Sequence, residues 1–138
     1  MRYLGLDLGS RTLGVSVSDP TGLIASSYTV IRHNEEYTRL INDVKTIVSE
    51  KKIDEIVLGL PKNMNNTIGP KGELSYKFKE MLENAINIPV HLVDERLTTK
   101  QATDILISND TSRKKRKKVV DSMAATIILQ SYLDKKER

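Results

Sequence analysis

The 138-residue sequence has no cysteine, no tryptophan and a single phenylalanine, at position 78. Without cysteine, disulfides and thiolate metal sites are ruled out. With so few aromatics, Val, Ile and Leu must supply most of the core. No apolar run approaches the roughly 20 residues that span a bilayer. The opening segment Met1-Arg2-Tyr3-Leu4-Gly5-Leu6-Asp7 meets an acid before a signal-like apolar stretch can form. These absences predict a soluble cytoplasmic protein with no membrane partner. The length predicts one domain, residues 1–138. Nucleophilic catalysis also lacks its parts. His33 lies in a charged turn, His91 lies inside a strand, and no serine has a base beside it.

What is present is an uneven charge. The net charge is +4, yet residues 113–138 hold nine Lys/Arg against three Asp/Glu, while residues 1–112 hold thirteen against fifteen. Such asymmetry suggests a polyanionic partner, with a solvated tail as the plainer alternative.

The hydrophobic pattern changes period along the chain. Residues 2–8 alternate with Leu4, Leu6 and Leu8 on one face, residues 14–18 alternate again, and Leu23 to Ile31 is rich in β-formers. Short turns at Gly9-Ser10-Arg11 and Asp19-Pro20-Thr21-Gly22 join them, which predicts three antiparallel strands. Tyr37, Leu40, Ile41, Val44, Ile47 and Val48 then share a helical face. Ile53 to Leu60 reads as a buried parallel strand. Residues 61–72 read as a mobile loop, and a second helix runs from Leu74 to Ile86. Val90 to Val93 forms a fifth strand, and Thr98 with Gln101 has capping-box spacing for a third helix to about Ser108. A basic loop, 109–118, precedes a last helix with Val120, Met123, Ala124, Ile127 and Ile128 on its apolar stripe. The predicted fold is α/β: a five-stranded mixed sheet, three antiparallel strands and then parallel ones, with helices on both faces. Generic packing rules leave the strand order open.

Three acids carry the chemical argument. Asp7 stands in a strand otherwise made of Leu, Gly and Tyr, with glycines at 5 and 9. A carboxylate there must be hydrogen-bonded, paired or metal-bound. Its alternative role is to open the turn at Gly9. Glu95 lies just past the fifth strand, where open α/β sheets bind ligands. If strand geometry persists, Asp94 and Glu95 point opposite ways, so one of them faces a site. Asp121 opens the last helix, where the helix dipole alone would favour an acid. Together they form an oxygen-only donor set suited to Mg²⁺ or Mn²⁺. Two such ions, about 3.5–4 Å apart, support phosphodiester cleavage. That spacing predicts carboxyl groups within roughly 4–8 Å of one another. Arg113, Lys114, Lys115, Arg116, Lys117 and Lys118 precede Asp121 and would grip a phosphate backbone without reading bases. Arg11 and Arg96 adjoin Asp7 and Glu95 and could polarise the scissile phosphate, unless they pair with Asp19 or Asp94.

Four segments together resemble the YqgF/RuvX family. They are Leu6-Asp7-Leu8-Gly9-Ser10-Arg11-Thr12-Leu13-Gly14-Val15, Val57-Leu58-Gly59-Leu60-Pro61, Val93-Asp94-Glu95-Arg96-Leu97-Thr98-Thr99 and Lys118-Val119-Val120-Asp121-Ser122-Met123-Ala124-Ala125. The resemblance spans essentially the whole chain. It implies a ribonuclease H-like fold, with Asp7, Glu95 and Asp121 as the acidic site. It also implies a nuclease that matures the 5′ end of pre-16S ribosomal RNA. The alternative is a resolvase of Holliday junctions in DNA, which would work as a two-fold homodimer. Related resolvases commonly carry two acids on the final helix, where this sequence offers Asp121.

Two rival readings remain at this stage. Asp7-Leu8-Gly9-Ser10-Arg11-Thr12 also resembles the first phosphate loop of the actin, Hsp70 and sugar-kinase superfamily, whose members need two such domains around ATP. A non-catalytic ribosome-assembly module would use the basic run and leave the acids idle.

Overall fold

A computed structural model describes residues 1–61, 68–94 and 113–136, with the helical backbone alone for 113–122. The five strands are β1 (Tyr3–Leu8), β2 (Thr12–Ser18), β3 (Ala25–Arg32), β4 (Glu55–Leu60) and β5 (Val90–Asp94). The helices are α1 (Tyr37–Lys51), α2 (Pro70–Ala85) and α3 (Arg113–Lys136). The strands form one sheet in the order β3-β2-β1-β4-β5. β1, β2 and β3 pair antiparallel, while β1, β4 and β5 pair parallel.

Strand alternation divides the core into two layers. Leu4, Leu6, Leu13, Val15, Ile56 and Leu58 meet Leu40, Val44, Phe78 and Leu82 of α1 and α2. Tyr3 and Val57 meet Ile128, Leu129 and Leu133 of α3 on the opposite face. Each fully buried Leu or Ile contributes about 1.5–3 kcal/mol, so the aliphatic residues do the packing, as the composition requires.

Gly5 sets how close α3 can lie. A Cβ at this position would meet Leu129 Cβ at 2.7 Å and the Ala125 carbonyl oxygen at 3.0 Å, and would clash with Ser16 Oγ. Ser16 Oγ donates to that same Ala125 carbonyl at 2.8 Å. Gly5→Ala is therefore expected to lift α3 and cost about 1–3 kcal/mol, the usual penalty for overpacking a core. Urea unfolding of the two proteins measures it.

The starts of α2 and α3 and the buried line of α3 differ from the sequence reading. α2 starts at Pro70 rather than Leu74, because Pro at the first helical position loses no hydrogen bond and Gly69 forms the N-cap. Its first turn is packed: a Cβ on Gly72 would meet Ile68 Cγ2 at 2.6 Å and the Pro61 carbonyl oxygen at 2.8 Å. Of the predicted loop, residues 62–67 lie outside the described residues, as does the predicted helix at 98–108. α3 starts at Arg113, so the basic run is helical and not a loop. Lys and Arg are good helix formers, and the helix is held from its far end. Its buried line is Ala124, Ala125, Ile128, Leu129 and Leu133, one position round from the predicted stripe. The shift follows from Gly5, which admits Ala125 directly onto the sheet.

Candidate active site

Asp7, the fifth residue of β1, is half-buried. Alternation puts it on the side of Tyr3 and Gly5, the face that α3 covers. Its ladder partner on β2 is Gly14, which pairs with Val30 on β3. On the other side Leu6 pairs with Leu58, so the next position in register is Gly59, itself paired with Val93. One row across the sheet thus reads Val30, Gly14, Asp7, Gly59, Val93. Asp7 is its only ionisable residue, and neither strand neighbour has a side chain. Bare backbone on both sides lets a phosphate or cation approach a strand closely.

α3 crosses this face antiparallel to β1. The Tyr132 ring meets Tyr3 edge-on with centroids 5.9 Å apart, and Lys136 Nζ lies 4.5 Å from the centre of the Tyr3 ring. Ala125 and Leu129 sit over Gly5. From Gly5 to Asp7 the strand advances about 6.7 Å. From Ala125 back to position 121 the helix advances about 6 Å along the same direction and stays on nearly the same side. The Asp121 side chain itself lies outside the described residues. Asp134, the acid of α3 whose side chain is described, is about 20 Å from position 121 along the axis and accepts a hydrogen bond from Gln130 at 2.9 Å.

β5 turns alternate side chains towards the two layers. His91 stacks on Tyr132 of α3, with centroids 5.2 Å apart, and Val93 packs in the same layer. Leu92 belongs to the α1–α2 layer, and Asp94 shares its parity. Glu95 and Arg96 follow β5 and lie outside the described residues.

The β1–β2 turn beside Asp7 is held from β3. Gly9 N–H donates to the Thr12 carbonyl at 2.7 Å, and His33 N–H donates to the Arg11 carbonyl at 2.9 Å. The buried His33 ring places Nε2 3.0 Å from the Gly9 carbonyl oxygen, and Glu35 N–H donates to Nδ1 at 3.2 Å. A neutral imidazole whose Nδ1 accepts carries its proton on Nε2, so Nε2 donates to Gly9. Glu35 reaches Nδ1 from a left-handed backbone, φ 62°. That conformation costs a non-glycine residue on the order of 1–3 kcal/mol. Arg11 is exposed at the tip of this turn.

Other polar groups are committed elsewhere. Asp19 accepts from Thr21 Oγ1, Leu23 N–H (2.9 Å) and Ile24 N–H (3.0 Å), so it builds the β2–β3 turn. Its bonds to Thr21, Ile24 and Leu23 hold its pKa down at about 2. His91 Nε2 lies 3.0 Å from Glu55 Oε1. With both histidines engaged and no cysteine, the donors left near Asp7 are oxygens. That chemistry fits a hard divalent ion and not a zinc site. Among the described residues no three acids or histidines cluster as a metal site, and of the three predicted acids only Asp7 has a described side chain.

The basic run occupies the first two turns of α3, on the far side of position 121 from the packed half of the helix. Two features escaped the sequence reading. The glycine row needs the register of four strands, and His33 is identified only by the contact it makes with Gly9.

The sequence matches the RuvX family, described as Holliday junction resolvase, over residues 1–135. A protein of Bacillus subtilis strain 168 named "Putative pre-16S rRNA nuclease" is 53% identical over 135 residues, 97% of this chain and 98% of that one. In fold the chain is similar to RuvC of Thermus thermophilus in complex with a Holliday junction substrate. The TM-score is 0.63 at 14% identity, covering 99% of this chain and 96% of that one. The fold is ribonuclease H-like. A ROK hexokinase from Thermus thermophilus is also similar, with a TM-score of 0.50 at 22% identity, over 77% of this chain but 37% of the hexokinase. Most of that kinase lies outside the shared region.

Proposed function

The chain belongs to the RuvX family, and on that premise we propose that it is a metal-dependent nuclease acting on structured nucleic acid, with the 5′ end of pre-16S ribosomal RNA as its main substrate. Asp7, Glu95 and Asp121 would hold two divalent ions, Mg²⁺ or Mn²⁺. Bound there, such ions activate water and stabilise the leaving oxygen. The observation that carries the reading is Asp7 itself. It is the lone acid in a glycine-flanked row at the C-terminal end of β1, beside the N-terminal half of α3.

Glu95 and the Asp121 side chain lie outside the described residues, and the family match supports their part in the site. One turn before Ala125 gives position 121 the level of Asp7. Arg11 and Arg96 would polarise the scissile phosphate. The basic run would hold the flanking backbone. A ribosomal substrate makes the cytoplasm the place of action. RNA is favoured because the relative at 53% identity carries an rRNA nuclease name. The junction reading rests on the family description and on the RuvC fold.

Pre-16S RNA and a four-way DNA junction, each incubated with pure protein in Mg²⁺ and in Mn²⁺, separate these substrates. Cleavage of the RNA is the expected result. Cutting of the junction alone would move the function to DNA and require two coordinated sites in a dimer. No cleavage of either substrate in either metal would leave a binding module.

A further inference from the structure

We infer that His33 is a positioning residue that fixes the Gly9–Thr12 turn, and with it Asp7 and Arg11, for the proposed reaction; this rests on the nuclease reading above. His33 is 8% exposed, although Arg32, Asn34, Glu35 and Glu36 around it are all exposed. A buried imidazole in a charged turn is retained only if both ring nitrogens are satisfied. Both are: Nε2 donates to the Gly9 carbonyl and Nδ1 accepts from Glu35 N–H.

The ring's orientation is over-determined. Tyr37 lies against it with centroids 5.6 Å apart, and Tyr37 in turn meets Phe78 of the main core at 6.4 Å. Burial and then the neighbouring Glu35 charge push the Tyr37 phenol up, so it packs as a neutral ring. Glu35 keeps its left-handed backbone to aim one N–H at Nδ1. The other left-handed non-glycine among the described residues, Lys52, is an ordinary helix C-cap. Backbone strain held without a capping role marks a position that the surrounding structure enforces.

What the clamp holds is the chain two residues beyond Asp7. The Gly9 peptide is bonded at both ends, N–H to Thr12 and C=O to His33. The turn has little slack, since a Cβ on Gly9 would meet the Thr12 carbonyl oxygen and Oγ1 at 3.2 Å. The His33 main chain holds Arg11 as well. A side chain 24 residues away thus fixes the exit of β1. A misplacement of about 1 Å at a reacting centre costs on the order of 10²-fold in rate.

Two variants test this. His33→Leu fills the space without a donor, and His33→Gln offers an amide N–H where Nε2 stands. His33→Leu is expected to lower kcat about 10–100-fold with KM and the salt dependence of binding unchanged, and His33→Gln to recover part of the loss. Amide exchange gives a readout independent of cleavage: the Gly9 N–H should lose protection in His33→Leu while the α1 amides keep theirs. Wild-type kcat in His33→Leu, unchanged Gly9 exchange, or an equal loss in both variants would overturn the inference. If the wild-type protein cuts no nucleic acid, the nuclease reading fails, and the exchange result still decides whether His33 fixes the turn.

Discussion

Asp7→Asn is expected to lose cleavage by at least about 10²-fold while nucleic-acid binding is kept or tightened. The substitution is nearly isosteric, and the glycines beside Asp7 offer no side chain that could take over the role. What changes is charge. An amide oxygen is a poor replacement for a carboxylate on Mg²⁺ or Mn²⁺. Removing a group that merely orients a metal ligand already costs 10–100-fold, so losing a ligand should cost more. Binding moves the other way, because an anion is removed from the path of a phosphate. Single-turnover cleavage and equilibrium binding on the same preparations separate the two effects. An Asp7→Asn protein that cuts at the wild-type rate in either metal sinks the site.

Neutralising the basic run should do the reverse. With Arg113 through Lys118 changed to Gln, affinity should fall for every nucleic acid alike, since phosphate contacts carry no base information. Cleavage at saturating substrate should survive within a few-fold. The helical backbone sets the size of the effect. In a loop, all six cations could follow one phosphate chain. On a helix, successive positions turn by 100°, so one strand meets positions such as 114, 117 and 118 together. About three contacts are therefore lost. The log–log salt slope should shrink by about 2–3, at 0.7–0.9 per contact. A loss of 4–5 would mean that all six make contact and that the run is extended when bound. Helix loss would not explain a weaker affinity. Cations at a helix N-terminus oppose its dipole, so Gln in these turns favours the helix.

The strands and α1 were legible because each writes its own period. Leu4, Leu6 and Leu8 alternate, and Leu40, Val44 and Ile47 recur by helical turns, so local sequence is enough. The order β3-β2-β1-β4-β5 was not legible, since it depends on which strand edges meet. The start of α3 is not legible because six like charges suggest a solvated loop. The helix is instead anchored from residues 124–133 and propagates back through residues of high helix propensity. Asp7 was legible as an acid where an apolar residue belongs. Its glycine neighbours were not, because Gly14 and Gly59 come beside it only through pairing across three strands. His33 reads as part of a charged turn, since nothing local reveals that its ring is buried against Gly9.

The seam between the sheet and α3 joins the two ends of the described chain. Ser16 bonds to Ala125 across 109 residues, and Ala25 to Gln130 across 105. Translation adds about 5–20 residues per second, and every strand is made before the helix that covers this face. After Leu60 is added, about 4–15 s pass before Leu133 follows. During that interval Tyr3 and Val57 face water as a bare apolar platform, a surface that holdase chaperones capture and that neighbouring nascent chains can stick to. The proposed acids share that delay. Asp7 belongs to β1 and is made before α3, yet it gains its helical partner only when α3 has cleared the exit tunnel. The proposed acidic centre is therefore incomplete for as long as α3 is unmade or still inside the ribosome.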